Sequence, residues 1–140
     1  MERPRFLTRS GTQSGADETL SLRLDGNNDA AATARAALGR LRTDIDPPLM
    51  ETLRLLVTEL VTNSVKHASA DSVHLQVLVR PDSVVTEVED GGPGFDPDNT
   101  GVPRADRGGW GLFLVERLAD SWGAGHEAGS PRVWFELRRA

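Results

Sequence analysis

The sequence predicts an α/β two-layer sandwich (α+β), a mostly antiparallel sheet with helices on one face. Three observations carry that prediction. Short runs with an apolar residue at every second position recur along the chain, as half-buried strands require. Longer stretches between them repeat apolar residues every three to four positions, the spacing of an amphipathic helix. Two of the strand-like runs are joined by a tight "PDS" turn, which makes that pair an antiparallel hairpin.

The elements follow in order. Residues 1–17, "MERPRFLTRSGTQSGAD", are polar and aperiodic and are expected to form a mobile N-terminal tail, leaving 18–140 as the domain. "TLSLRL" (19–24) alternates with Leu20, Leu22 and Leu24 on one face, a first strand. "DGNN" is a turn, after which Asn28 or Asp29 can cap the Ala-rich helix "AAATARAALGRL". Pro47 and Pro48 open a longer helix that runs to about residue 68, with Leu53, Leu56, Val57, Leu60, Val61 and Ser64 as its buried stripe.

"SVHLQVLV" (72–79) alternates Val73, Leu75, Val77 and Val79, and "VVTEVED" (84–90) returns beside it. Residues 96–107 are polar, Gly- and Pro-bearing, and poorly suited to regular structure. "GGWGLFLVERLADSWG" (108–123) reads as a helix entered through glycines, with Leu112, Val115, Leu118, Ala119 and Trp122 inward. "RVWFELR" (132–138) is the last strand, with Val133, Phe135 and Leu137 on one face. The expected order is therefore β-α-α-β-β-α-β.

At 140 residues the chain is most economically one domain, and its 38% hydrophobic and 26% charged content is that of an ordinary globular protein. A net charge of −5 disfavours nucleic acid or an anionic membrane as a direct partner. No run approaches the ~18 apolar residues of a membrane span, and the N-terminus lacks a signal-peptide core, so the expected location is cytoplasmic. With no cysteine, thiol catalysis, thiolate metal sites and disulfides are excluded. His67, His74 and His126 lack metal-ligand spacing. Fifteen arginines accompany a single lysine, Lys66, a bias that codon usage explains.

Three segments carry candidate chemistry. On the long helix Glu59 and Asn63, four apart, share a face, with Lys66 a turn further on and Thr62 beside them. A carboxylate, an amide oxygen and an ammonium suit a hydrated Mg²⁺ and phosphates, although a solvated helix face has the same composition. "DGGPG" (90–94) follows a strand and opens no helix, which excludes a Walker loop or a dinucleotide fingerprint. Its glycines allow either a plain turn or close backbone approach to a flat ligand, with Asp90 placed to accept from an exocyclic amine. "GGWG" (108–111) leads directly into a helix whose first amides would attract phosphate.

The order of the three segments is more specific than any one of them. Glu59 and Asn63 in "ELVTNSVKHA", Asp90, Gly92 and Gly94 in "DGGPGF", and Gly109, Gly111 and Leu112 in "GGWGL" resemble the N, G1 and G2 boxes of the GHKL (Bergerat-fold) ATPase superfamily. The resemblance spans residues 19–138 and is strongest to the anti-sigma factor serine kinases, small one-domain proteins with Glu in the N box and a short lid. It implies a histidine kinase-like ATPase domain that binds ATP and Mg²⁺ between helices and sheet. Glu59 would be the general base and Asn63 the magnesium ligand. Asp90 would take the adenine amine, Gly92 and Gly94 line the base, and Gly109 and Gly111 donate amides to phosphate. Lys66, Arg107, Trp110 and Leu112 complete the implied ATP site. The chain departs from the family pattern at Phe113, where a glycine is usual, and at bulky Trp110. Arg104 and Arg107 lie in or beside the lid, where they could meet the γ-phosphate, a partner or only solvent.

The implied function is an ATP-binding regulator: an anti-sigma factor serine kinase that phosphorylates an anti-sigma factor antagonist and sequesters a sigma factor. The competing reading is an ATP-binding interaction module with little or no kinase activity. A histidine kinase catalytic domain fits poorly, because the chain has no room for a phosphoacceptor helical hairpin. Association into a homodimer is left open.

Overall fold

The computed structural model describes residues 17–66, 71–90, 112–127 and 130–139. The elements are β1 (Glu18–Asp25), α1 (Ala30–Leu38), α2 (Pro47–Lys66), β2 (Ser72–Val79), β3 (Ser83–Asp90), α3 (Phe113–Leu118), β4 (Ser121–Glu127) and β5 (Ser130–Arg138). The strands form one sheet in the order β1-β2-β3-β5-β4, every neighbouring pair antiparallel. The helices cover one face of it. Their apolar sides meet Leu20, Leu24, Val73, Leu75, Val77, Val79, Val84, Val88, Phe135 and Leu137 in a single core.

The two-layer α+β class is as expected, but the sheet has five strands where the sequence reading has four. The helix expected over 108–123 is described only as Phe113–Leu118. Ala119 turns to extended backbone (φ −83°, ψ 149°), and "SWGAGHE" becomes β4, pairing Trp122 with Phe135. Two things favour a strand there. Gly123 and Gly125 are poor helix residues, and Trp134 of β5 lies across Gly123 so closely that a Cβ would meet its Nε1 at 2.6 Å. A glycine within a strand often marks such close approach. Leu118, expected inward, is exposed, while Ala119 and Trp122 pack on the core from different elements than foreseen. Asp120 fastens the reversal: its N–H donates to the Glu136 carbonyl, and its carboxylate accepts from the Arg138 N–H at 2.7 Å.

Smaller differences lie at helix ends. Asp29 is the α1 N-cap residue, but its side chain makes no capping bond. The turn is closed by Asn27, whose carboxamide oxygen accepts from the Asp29 N–H at 2.8 Å. α1 stops at Leu38 rather than Leu41, because Gly39, Arg40 and Leu41 donate to carbonyls three residues back. Ala30, Ala34, Ala37 and Leu38 form its buried side. α2 buries Leu53, Leu56, Val57, Leu60 and Val61 of the stripe expected of it, while Ser64, its sixth member, is half-buried. The expected tail before Asp17, the end of α2 beyond Lys66 and the 96–107 segment lie outside the described residues.

Two fasteners hold the loops. Glu18 at the start of β1 accepts from the Arg42 N–H (2.8 Å), the Thr43 N–H (2.8 Å) and the Thr43 hydroxyl (2.6 Å), tying the α1–α2 connection to the sheet. Arg139 donates to the carbonyls of Arg80 and Asp44, both at 2.8 Å, joining the hairpin to the same connection. Part of the sheet face away from the helices is buried. Leu78, Val85, Glu87 and Trp134 are buried there, and Arg132 bridges Glu87 (3.3 Å) and Glu89 (3.0 Å).

Candidate nucleotide-binding site

β3 is a central strand, so its final residue, Asp90, emerges from the sheet interior rather than from an edge. Asp90 pairs with Val73 of β2 and is 5% exposed. Above it runs the last part of α2, whose Ser64 hydroxyl donates to the Asp90 carboxylate. Burial pushes the Asp90 carboxyl up to about 6. The Ser64 hydrogen bond opposes that rise, and the neighbouring Glu89 charge adds to it. Among the described residues the Ser64 hydroxyl is the donor to this carboxylate, and a buried carboxylate gains from any further N–H donor.

Around α2 the expected site residues fan outward from Ser64. Asn63, next in sequence, lies about 100° away and is half-buried. Glu59, one turn earlier on Asn63's side, is also half-buried. Lys66 is exposed and lies about 160° from Ser64, on the flank facing α1. There it lines an open cavity of about 360 Å³ with Asn27, Asn28, Ala31, Thr62 and Val65. The fold thus brings Asn63, Ser64 and Asp90 to one corner and sets Lys66 apart from Asp90. Leu112 sits half-buried at the start of α3, which packs on α2 and β4. Gly92, Gly94, Arg104, Arg107, Gly109, Trp110 and Gly111 lie outside the described residues. Among the described residues no three His, Cys, Asp or Glu side chains come together as a metal cage.

Ser64 is the residue to which sequence reasoning gave no chemical role. Its signal was present: a hydroxyl in an otherwise apolar helical stripe, where a buried polar group needs a partner.

The profile of the histidine kinase-like ATPase domain matches residues 24–135, most of the chain, including α2 and the end of β3. The chain belongs to this family. Among curated relatives of this ATPase domain is the anti-sigma F factor of Oceanobacillus iheyensis, 27% identical over 115 residues that cover 73% of this chain and 79% of the relative. The serine-protein kinase RsbW of Listeria monocytogenes is 28% identical over 120 residues, covering 74% and 76%. Among solved structures, the RsbU and RsbW domains of a Mycobacterium tuberculosis protein share the fold, with a TM-score of 0.64 and 24% identity. That likeness covers 87% of this chain and 32% of the other, so this domain spans about a third of that longer protein. Among the described residues no helix is long and apolar enough to cross a membrane.

Proposed function

We propose that residues 18–140 are an ATP-dependent protein-serine kinase acting on an anti-sigma factor antagonist, and that the same domain binds a sigma factor. The observation that carries this reading is the corner where α2 meets the end of β3. There the buried Asp90 meets Ser64, the residue next to Asn63 on α2, in a chain of the ATPase family. The relatives named anti-sigma factor and serine-protein kinase supply the class of partner.

The residues suit the ligand. Asp90 accepts from the adenine amine, and among the described residues no cation acts on its carboxylate, which fits a neutral donor. Asn63 offers its amide oxygen toward Mg²⁺, a hard cation that keeps oxygen ligands and usually shares them with phosphates. When bound, ATP supplies the transferable phosphoryl group and Mg²⁺ offsets its charge. Glu59 accepts the proton of the incoming serine hydroxyl. Gly92, Gly94, Arg107, Gly109, Trp110, Gly111 and Leu112 complete the nucleotide surface on this reading, with Lys66 nearer its rim.

The test is phosphotransfer from labelled ATP to candidate antagonist proteins. Asn63→Ala is expected to remove the Mg²⁺-dependent part of ATP binding. Glu59→Ala is expected to keep ATP affinity and lose transfer by about 10²–10⁴-fold, the usual contribution of a general base. Undiminished transfer by Glu59→Ala would remove the base assignment. ATP binding by the wild type with transfer to no antagonist favours the interaction-module reading instead.

A further inference from the structure

The sheet face away from the helices is not uniform. Strand pairing sets its outward side chains in rows, with Thr19, Leu78 and Val85 side by side in one row. In the next row Gln76, Glu87 and Trp134 follow one another. On β1 this face is open, since Thr19, Ser21 and Arg23 are exposed. On the middle strands it is closed: Leu78 and Val85 are 1% exposed, Glu87 2% and Trp134 5%. The helices do not account for that closure. Leu78, Val85 and Trp134 stand outside the core that the helices share, because side chains alternate across a strand. Nor does Trp134 shield the other two, as its indole leans over Gly123 of β4, away from β2 and β3. A leucine and a valine in mid-sheet with almost no access to water need a layer above them. Among the described residues no element supplies it.

Residues 1–16 join the described chain at Asp17, next to the row that holds Leu78 and Val85. At about 4.8 Å per strand, the middle strands lie within about 15 Å of β1, and a segment of this length spans up to about 50 Å when extended. It is polar except around the adjacent pair Phe6 and Leu7, and "TRSGTQSGA" gives that pair the reach to pass around the end of β1. Arg3, Arg5 and Arg9 accompany the pair, and the face offers a place where two carboxylates, Glu87 and Glu89, share the one guanidinium of Arg132. Residues 91–111, by contrast, leave from Asp90 at the opposite end of β3 and lead to α3 in the helix layer. We propose that residues 1–16 are a built-in cover for the far face of the sheet: Phe6 and Leu7 seat over Leu78, Val85 and Trp134, and any partner that uses this face must first displace them. The two-layer sandwich thereby gains a partial third layer, from residues that composition alone assigns to a mobile tail.

The test uses the full chain without nucleotide. Hydroxyl-radical oxidation, read residue by residue by mass spectrometry, reports water access at Trp134. Half-buried Trp122, on the helix side of β4, is the internal reference. Trp134 is expected to oxidise slowly in the wild type and several-fold faster in a Phe6→Asp, Leu7→Asp double variant, with Trp122 unchanged. A Phe6→Leu, Leu7→Met variant, apolar at both positions, should keep the protection. Because the chain has no cysteine, Leu7→Cys with Gln76→Cys adds a single reactive pair, which a short bismaleimide should join within one chain.

Equal oxidation of Trp134 in the wild type and the double aspartate variant overturns the proposal, because Phe6 and Leu7 then cover nothing. Links formed between chains, or protection that fades on dilution, place a second copy on the face and overturn it as well. A cysteine pair that links neither way does the same. Should the aspartate variant unfold, Trp122 oxidation rises together with that of Trp134, and the cross-link decides the question in an otherwise native chain.

Discussion

Two carboxylates, Glu18 and Asp90, show how the same group is treated when it braces a scaffold and when it furnishes a site. Glu18 sits half-exposed at the start of β1. Burial acts to raise its pKa, but the Thr43 hydroxyl, the N–H groups of Arg42 and Thr43 and the Arg42 charge outweigh it, so the pKa is lowered. Asp90 has one hydroxyl, a repelling neighbour and a buried seat, and its pKa is raised from 3.8 to about 6. Among the described residues Glu18 gathers donors from both Arg42 and Thr43, whereas Asp90 has the Ser64 hydroxyl. A fully satisfied charge stabilises a fold, and an under-satisfied one is available to a ligand at a cost to stability.

The largest effect expected from this contrast is at Asp90. Because its folded pKa is raised, its favourable contribution is complete below the unfolded value of 3.8 and is lost as pH rises through about 6. Asp90→Asn should therefore stabilise the protein at pH 7, by up to about 3 kcal/mol. The gain should disappear below about pH 4, while ATP binding is lost at every pH. Urea unfolding at pH 4 and pH 7 measures the first part and calorimetry the second. A destabilised Asp90→Asn at pH 7 would break the comparison.

Gly123→Ala comes next and is a control from pure packing. The new methyl would meet the Trp134 indole at 2.6 Å, so the ring must shift, with an expected loss of about 1–3 kcal/mol. That loss should be flat with pH, as neither carboxylate takes part.

Glu18→Gln is the smallest of the three, at about 1 kcal/mol for weakened charge-assisted bonds. The sign is opposite to that of Asp90. Glu18 has a lowered pKa, so its contribution is present above the usual value of 4.5 and is lost as pH falls through the lowered one. The difference between wild type and Glu18→Gln should shrink on acidification. A difference that grows instead would mean that the latch at Thr43 does not favour the charged form.

The fold was legible where periodicity was clean. Leu20 and Leu24, the β2 alternation and the α2 stripe each fall on the core as their spacing demands. The run from Phe113 to Trp122 misled because its apolar residues fit a helix about as well as a helix followed by a strand. What decides between them is Trp134, whose indole selects a glycine on the neighbouring strand, and a pairing partner at that distance in sequence leaves no local periodic trace. At the site, Asp90 was legible because a strand ends there and glycines follow. Ser64 was not, since its partner is supplied by the packing of α2 on β3. Lys66, three residues after Asn63 and so on its side of the helix, also lines the cavity toward α1.

The position of β5 has a consequence for how the domain is made. β5, which follows β4 in the chain, inserts between β3 and β4 rather than adding at an edge. Until it arrives, β4 has no neighbour among the described strands, and the places of Phe135 and Leu137 in the core stand open. The first three strands and two helices can gather during translation, but the sheet closes only through pairings formed late and across long stretches of chain. Without 130–138, the β3 edge would be left as a bare template.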